Sequence, residues 1–209
     1  MAADRGKLSL RNKRPGGRAI GELRRMGQIA SHSQLRMAFI RWALVLVPLV
    51  LLLGIASGWL ANSGYDNPWF SALRKPDFMP AAWAFPVAWT ILYVLMGFAL
   101  ALIVAARGAH GRELAIALFV VQLALNLAWS PLFFAAHQVV AALILISILI
   151  LMVVLAIWQF WRIRPLAGAM LLPYLAWLLL AFALNLSVMN LNPDAESLAP
   201  GRVRTQISI

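Results

Sequence analysis

Residues Trp69 to Gly97 read WFSALRKPDFMPAAWAFPVAWTILYVLMG, a proline- and tryptophan-rich loop that runs straight into a charge-free apolar helix. Aromatic rings packed this densely at the mouth of a membrane span point to a site for a flat apolar ligand. Little else in the chain suggests any chemistry.

Outward from that stretch, composition sets the class. Of 209 residues, 63% are hydrophobic and 12% charged, the balance of a membrane protein rather than a soluble domain. There is no cysteine, which excludes disulfides, thiolate metal sites and cysteine nucleophiles. The formal charge is +11, but ten of the 18 Lys and Arg lie within the first 41 residues. A basic tail beside a membrane sets topology or touches anionic head groups, so no nucleic-acid partner is expected.

A bilayer-spanning helix takes about 20 residues. Charge-free apolar stretches of that length fall near 42–61, 82–106, 114–135, 139–161 and 166–190. The predicted fold class is therefore all-α, a polytopic membrane protein built as a five-transmembrane-helix bundle. Spans three and four are separated only by Ala136, His137 and Gln138, which predicts a tight antiparallel hairpin. The first connection, about 62–81, is the longest and the one with room to build something.

Positive residues are retained in cytoplasmic loops. With the N-terminus inside, that side holds the ten in the tail plus Arg107, Arg112, Arg162 and Arg164; the other side holds Arg74, Lys75, Arg202 and Arg204. The aromatic loop and the C-terminus are thus expected on the extracytoplasmic face. Residues 1–36 form a basic extension, rich in Gly and Ser and without sustained apolar period, which predicts disorder. The pair Arg24-Arg25 is not continued as a twin-arginine signal, and Met37, just before the first span, is a candidate start. Residues 37–192 make the membrane domain and 193–209 a short tail.

Polar groups inside spans are costly and face the bundle interior. No Asp, Glu, Lys or Arg occurs in the central part of any predicted span, which argues against a proton relay or ion-coupled pump. The polar residues that remain are neutral, and they lie on aromatic stripes. Gln122, Asn126, Trp129 and Phe133 share one face of the third span; Tyr174, Trp177, Ala181, Leu184 and Asn185 share one of the fifth; Pro86, Trp89, Thr90, Tyr93 and Gly97 share one of the second. Three such faces are the usual lining of a small-molecule pocket. Trp42, Trp59, Trp158 and Trp161, near span ends, read as interfacial belt. For Trp89, Trp129 and Trp177, spacing alone leaves both the belt and the ligand-facing readings open. Pro86, Pro131 and Pro173 are expected to bend their helices around an interior cavity.

The stretch Trp69, Phe70, Leu73, Lys75, Pro76, Pro80, Trp83, Phe85, Pro86, Trp89, Thr90, Tyr93, Leu95, Met96 and Gly97 resembles the signature of the TspO/MBR family, the tryptophan-rich sensory proteins that include the mitochondrial translocator protein. Two further blocks, Gln122 to Phe134 (QLALNLAWSPLFF) and Pro173 to Asn192 (PYLAWLLLAFALNLSVMNLN), match in order and spacing, so the resemblance covers roughly 43–192. It implies a five-helix bundle, commonly a homodimer, that binds porphyrins and related apolar ligands, with porphyrin or haem as ligand rather than required cofactor. Carried onto this chain, the lining would include Trp89, Asn126, Trp129, Phe133, Trp177, Ala181 and Leu184, with Trp69 and Trp83 as lid candidates. Tyr174 joins them by its place on the fifth-span stripe.

Departures from the family pattern are Phe70 and Phe78 where Tyr and Trp are usual, and Ala81 in place of a second proline. Leu186 and Asn190 replace the aromatic and basic residues of the proposed cholesterol motif, so sterol binding through it is not expected. His137 lies in a short loop and His32 and His110 outside the spans, which leaves no axial ligand for a haem enzyme. Arg74 and Lys75 can pair with propionates or with lipid head groups. No general acid, metal site or nucleophile is present for ordinary enzyme chemistry, and the expected role is a sensor, regulator or carrier of porphyrin intermediates. Light-dependent porphyrin breakdown and transport of another apolar solute are the alternatives. Ala124 and Ala128 place small residues four apart on the third span, a spacing compatible with helix pairing.

Overall fold

The structure, a computed structural model, describes residues 32–198. The expectations for residues 1–31 and 199–209 lie outside the described residues. Packing divides the chain between Met37 and Ala38, and the membrane bundle is the unit that begins at Ala38.

The described residues form helices α1 (His32–Leu60), α2 (Pro68–Ala72), α3 (Ala84–Ala105), α4 (Arg112–Ser130), a π-helical turn (Pro131–Ala135), α5 (Val139–Ile163), α6 (Pro165–Ala169) and α7 (Leu172–Leu191). Five segments are long and apolar enough to cross a membrane: Arg36–Leu60, Ala84–Ala105, Arg112–Ala135, Val139–Ile163 and Pro165–Leu191. The protein is thus an integral, multi-pass five-helix bundle. Hydrocarbon thickness fixes where each apolar run can end, which is why the sequence-based boundaries for the last four spans fall close to these.

Apolar burial does not drive helices together in lipid, so close packing and interhelical hydrogen bonds hold the bundle. Phe119 stacks on Phe160 between α4 and α5, with centroids 6.2 Å apart and planes at 18°. Met96, Ala99 and Ile103 of α3 are fully buried. Half of the most apolar stretch of α3 is buried (50%) against 17% for α1, which makes α3 central and α1 peripheral. What brings α1 in is glycine. A Cβ on Gly97 would lie 2.6 Å from Val47 Cα, and one on Gly54 would enter the Tyr93 ring, so only glycine lets α1 cross α3 at these points.

At the end remote from the aromatic loop, Arg112 donates from Nε to Ile103 O and from Nη2 to Val104 O, satisfying terminal carbonyls of α3. Gln159 Nε2 donates to Gly111 O at 2.9 Å and pins the start of α4 to α5.

The prolines do not act as expected. Pro173 falls at the second residue of α7, where the fifth span breaks between α6 and α7, and Pro86 lies in the first turn of α3. There a missing N–H removes no helical bond. Only Pro131 of the three sits at an irregularity within a span, the passage from α4 into the π-helical turn.

Candidate functional site

Above the crossing of α1 and α3 the helices enclose a cavity of about 640 Å³. Its walls come from α1 (Gly54, Ile55, Gly58, Trp59), α3 (Phe85, Pro86, Trp89, Thr90, Tyr93), α4 and its π-helical turn (Trp129, Ser130, Phe133, Phe134) and α7 (Trp177, Ala181, Leu184, Asn185, Val188). Asn62 to Asp66, Phe70, Met79 and Ala82 close it from the loop.

Two aromatic walls result. On one, Trp89 stacks on Tyr93 at 5.2 Å and meets Trp177 edge-on at 6.4 Å, while Phe85 meets the other side of Trp177 at 5.7 Å. On the other, Trp129 and Phe133 are stacked at 5.0 Å with planes only 11° apart. That second stack spans the passage into the irregular turn after Ser130. Pro131 cannot donate to the carbonyl of Leu127, and Ser57 of α1 supplies the donor at 2.6 Å.

Beneath the cavity runs a polar ladder across three helices. Tyr93 Oη donates to Asn126 Oδ1 at 2.9 Å, and Asn126 Nδ2 donates to Tyr174 Oη at 3.0 Å. Asn126 and Tyr174, both buried, are absent from the lining. Their polar atoms face one another and form the support of the floor. Two buried groups lack partners among the described residues: the Trp129 indole N–H and both amide atoms of Gln122. Buried polar groups are rarely left unpaired; Trp129 lines the cavity, but its N–H is itself inaccessible to water.

The loop forms a tied roof. Asn67 caps α2, its Oδ1 accepting from Phe70 N–H, while its Nδ2 donates to Asn62 O and Phe134 O. Trp69 is buried, donates from Nε1 to Ala195 O at 2.9 Å, and lies against Phe133 and His137. Tyr65 Oη donates to Pro80 O at 2.8 Å. The Asn192 amide receives Arg74 N–H at 2.8 Å and donates to Arg74 O at 2.9 Å. Asn192 and Ala195 are therefore part of the roof, and Glu196 extends the tie by accepting Val140 N–H at the start of α5.

Lys75 is committed within this roof. Its ammonium donates to the carbonyls of Phe70, Ser71 and Leu73 and lies 4.8 Å from the Phe70 ring centroid. Desolvation holds its pKa below the ordinary lysine value. A propionate partner would have to displace those bonds. Asp66 is the only ionisable acid or base in the lining other than tyrosine.

Of the residues singled out in the sequence, Trp89, Trp129, Phe133, Trp177, Ala181 and Leu184 are brought together around the cavity. Asn126 and Tyr174 lie beneath it. Trp69 is sealed in the roof, and Trp83, 70% exposed, stands outside the lining. Sequence reading missed the contribution of α1: Trp59, which reads as interfacial belt, also lines the cavity beside Ile55, and Gly54 and Gly58 have no side chain to mark a face. Among the described residues no group of three or more His, Cys, Asp or Glu could hold a metal.

Residues 44–191 match the TspO/MBR family. The chain is 37% identical over 162 residues to the tryptophan-rich sensory protein of Cereibacter sphaeroides, covering 75% of this chain and 98% of that one. It is 34% identical over 154 residues to the tryptophan-rich protein TspO of Chlorobaculum tepidum (71% and 98% covered). It is 36% identical over 155 residues to the translocator protein homolog of Schizosaccharomyces pombe (72% and 91% covered).

Proposed function

The chain belongs to the TspO/MBR family, and from that premise we propose that it binds a flat, largely apolar ligand of the tetrapyrrole class inside the membrane, as a sensor, regulator or carrier. The observation that carries this reading is the 640 Å³ cavity faced on two sides by Trp89 with Trp177 and by Trp129 with Phe133. That volume lies within the range of ordinary ligand sites, about 300–1,000 Å³. Ring faces on two walls favour a flat conjugated solute. Because Lys75 is occupied, the carboxylates of a porphyrin are best accommodated at the open upper rim, in water or head groups. The ligand-contacting set in this reading is Trp89, Trp129, Phe133, Trp177, Ala181 and Leu184, with Asn126 and Tyr174 holding the floor and Trp69 the roof.

The bias of Lys and Arg supports an orientation with the roof and C-terminus extracytoplasmic. Ala124 and Ala128 are exposed along α4, where a second copy of the bundle is proposed to pack.

The test is a titration of the protein in nanodiscs with protoporphyrin IX, followed by tryptophan quenching in darkness and under light. Saturable binding is expected. Each aromatic contact contributes roughly 0.5–1.5 kcal/mol, so a Trp129→Ala, Trp177→Ala double variant should bind about 5- to 150-fold more weakly. Absence of saturable binding, or undiminished binding by the double variant, overturns the assignment. Bleaching of the porphyrin faster than in free solution would favour the degradative alternative.

A further inference from the structure

We propose that the cavity fills sideways from the bilayer, through a slot between α1 and α3, and that the aromatic loop is a fixed roof rather than a lid. The proposal rests on the ligand-binding reading above for the nature of the solute, and on separate observations for the route.

The slot is visible in which lining residues are also exposed. Ile55 and Trp59 of α1 line the cavity yet are 54% and 80% exposed, and Pro86 and Thr90 opposite them on α3 are exposed as well. A residue that faces both a cavity and the outside stands at its mouth. Gly58 lies between Ile55 and Trp59 on the same helix, and a Cβ built there meets no atom within 4 Å, so the space beside it is empty.

The slot reaches into hydrocarbon. Ile55 stands five residues before the end of α1 at Leu60, about 7.5 Å along the axis at 1.5 Å per residue. Thr90 stands six residues after the start of α3 at Ala84, about 9 Å along. Its lower border is the crossing where Gly54 meets Tyr93 and Gly97 meets Val47. Its upper lip is polar, with Asn62, Ser63 and Asp66 exposed. An apolar slot under a polar lip admits an amphipathic disc lying at the membrane surface with its polar edge outward.

The loop, by contrast, is fastened on three sides. Asn67 joins it to Phe134 of the π-helical turn, Trp69 to Ala195, and Arg74 to Asn192 by two bonds. Entry through the roof requires these to break, whereas the slot is already open.

The chain has no cysteine, which permits a test independent of porphyrin. Ser130→Cys places one thiol in the cavity wall. In nanodiscs its labelling by membrane-dissolved pyrene maleimide is compared with that by a charged, water-borne methanethiosulfonate. The apolar reagent is expected to react faster. Adding Gly58→Phe should slow that reaction about tenfold by filling the slot, and Ile55→Ala should speed it severalfold; misfolding would speed both. Adding Asn192→Ala, which loosens the roof, should leave the rate within about twofold.

Labelling indifferent to Gly58→Phe, or accelerated severalfold by Asn192→Ala, overturns the proposal. If wild-type protein binds no protoporphyrin IX while the labelling pattern holds, the tetrapyrrole reading falls and the slot stands. If both hold, Gly58→Phe should also slow protoporphyrin association and dissociation together.

Discussion

The hydroxyl of Ser57 on α1 donates at 2.6 Å to the carbonyl of Leu127 on α4, the carbonyl that Pro131, four residues on, cannot serve. A backbone carbonyl freed inside a bilayer has no water to turn to, so this bond satisfies the acceptor left where α4 passes into its π-helical turn. Ser57→Ala is expected to lower stability by about 0.6–2 kcal/mol, the range for hydrogen bonds between membrane helices and for an orphaned buried acceptor. In a Pro131→Ala background, where the regular helical donor returns, the same change should cost close to nothing. Denaturant titration of the four proteins in mixed micelles gives the cycle; equal costs in both backgrounds would show that Ser57 does not replace the proline's missing bond.

Gly54 lies where α1 crosses the Tyr93 ring, and no side chain fits there. Gly54→Ala should force α1 away from α3 at a cost of about 1–3 kcal/mol, the usual penalty of overpacking. Gly58→Ala, four residues on, should be neutral or stabilising by up to about 1 kcal/mol, because nothing lies within 4 Å of its Cβ and alanine is the better helix former. Thermal unfolding of the two variants side by side checks the contrast. Equal destabilisation would mean that close approach to the Tyr93 ring is not what requires glycine at position 54.

These two glycines also mark the limit of what the sequence discloses. The spans are legible because lipid permits only about 20 apolar residues between polar ends, and the second, third and fifth stripes are legible because tryptophan beside Asn, Thr or Tyr interrupts an otherwise featureless helix. The α1 wall leaves a weaker mark, since Gly54 and Gly58 contribute no side chain and Trp59, near a span end, reads as belt although it lines the cavity. Asn126 and Tyr174 were correctly placed on inward faces, but spacing along one helix does not reveal that they bond to each other across helices instead of facing the cavity. Pro173 reads as a kink because the apolar run continues on both sides of it; the break between α6 and α7 just before it involves only small and apolar residues. The tie between Arg74 and Asn192 joins positions 118 apart and has no local signature.

The ladder from Tyr93 through Asn126 to Tyr174 predicts unequal losses. Tyr93→Phe removes one interhelical bond and orphans the buried Asn126 Oδ1, so it should cost about 0.6–2 kcal/mol. Asn126→Ala breaks both bonds and strands two buried hydroxyls, so it should cost more than either tyrosine variant alone, each unpaired buried group carrying a desolvation penalty of about 1–3 kcal/mol. Stability of the three single variants, measured in one detergent, decides this. A cost for Asn126→Ala no larger than that of a single tyrosine variant would show that the amide does not bridge both.

Alkaline pH separates two roof residues by sign. Burial raises the pKa of Tyr65 above its ordinary 10.0, so in the interval between the two values the unfolded chain releases this proton first and stability falls as pH rises. Burial lowers the pKa of Lys75 below its ordinary 10.5, so the folded chain releases that proton first and stability rises with pH until the unfolded chain has released it too. The two effects oppose one another near pH 10, and both are small because each side chain is only partly buried. Single variants uncover them. Relative to wild type, Tyr65→Phe should become progressively more stable as pH rises above about 10, and Lys75→Met progressively less stable as pH approaches 10.5 from below. Melting temperatures of the three proteins from pH 8 to 11, compared as differences from wild type at each pH, supply the measurement. Two difference curves of the same sign would mean that burial does not control these residues and that other contacts of the roof do.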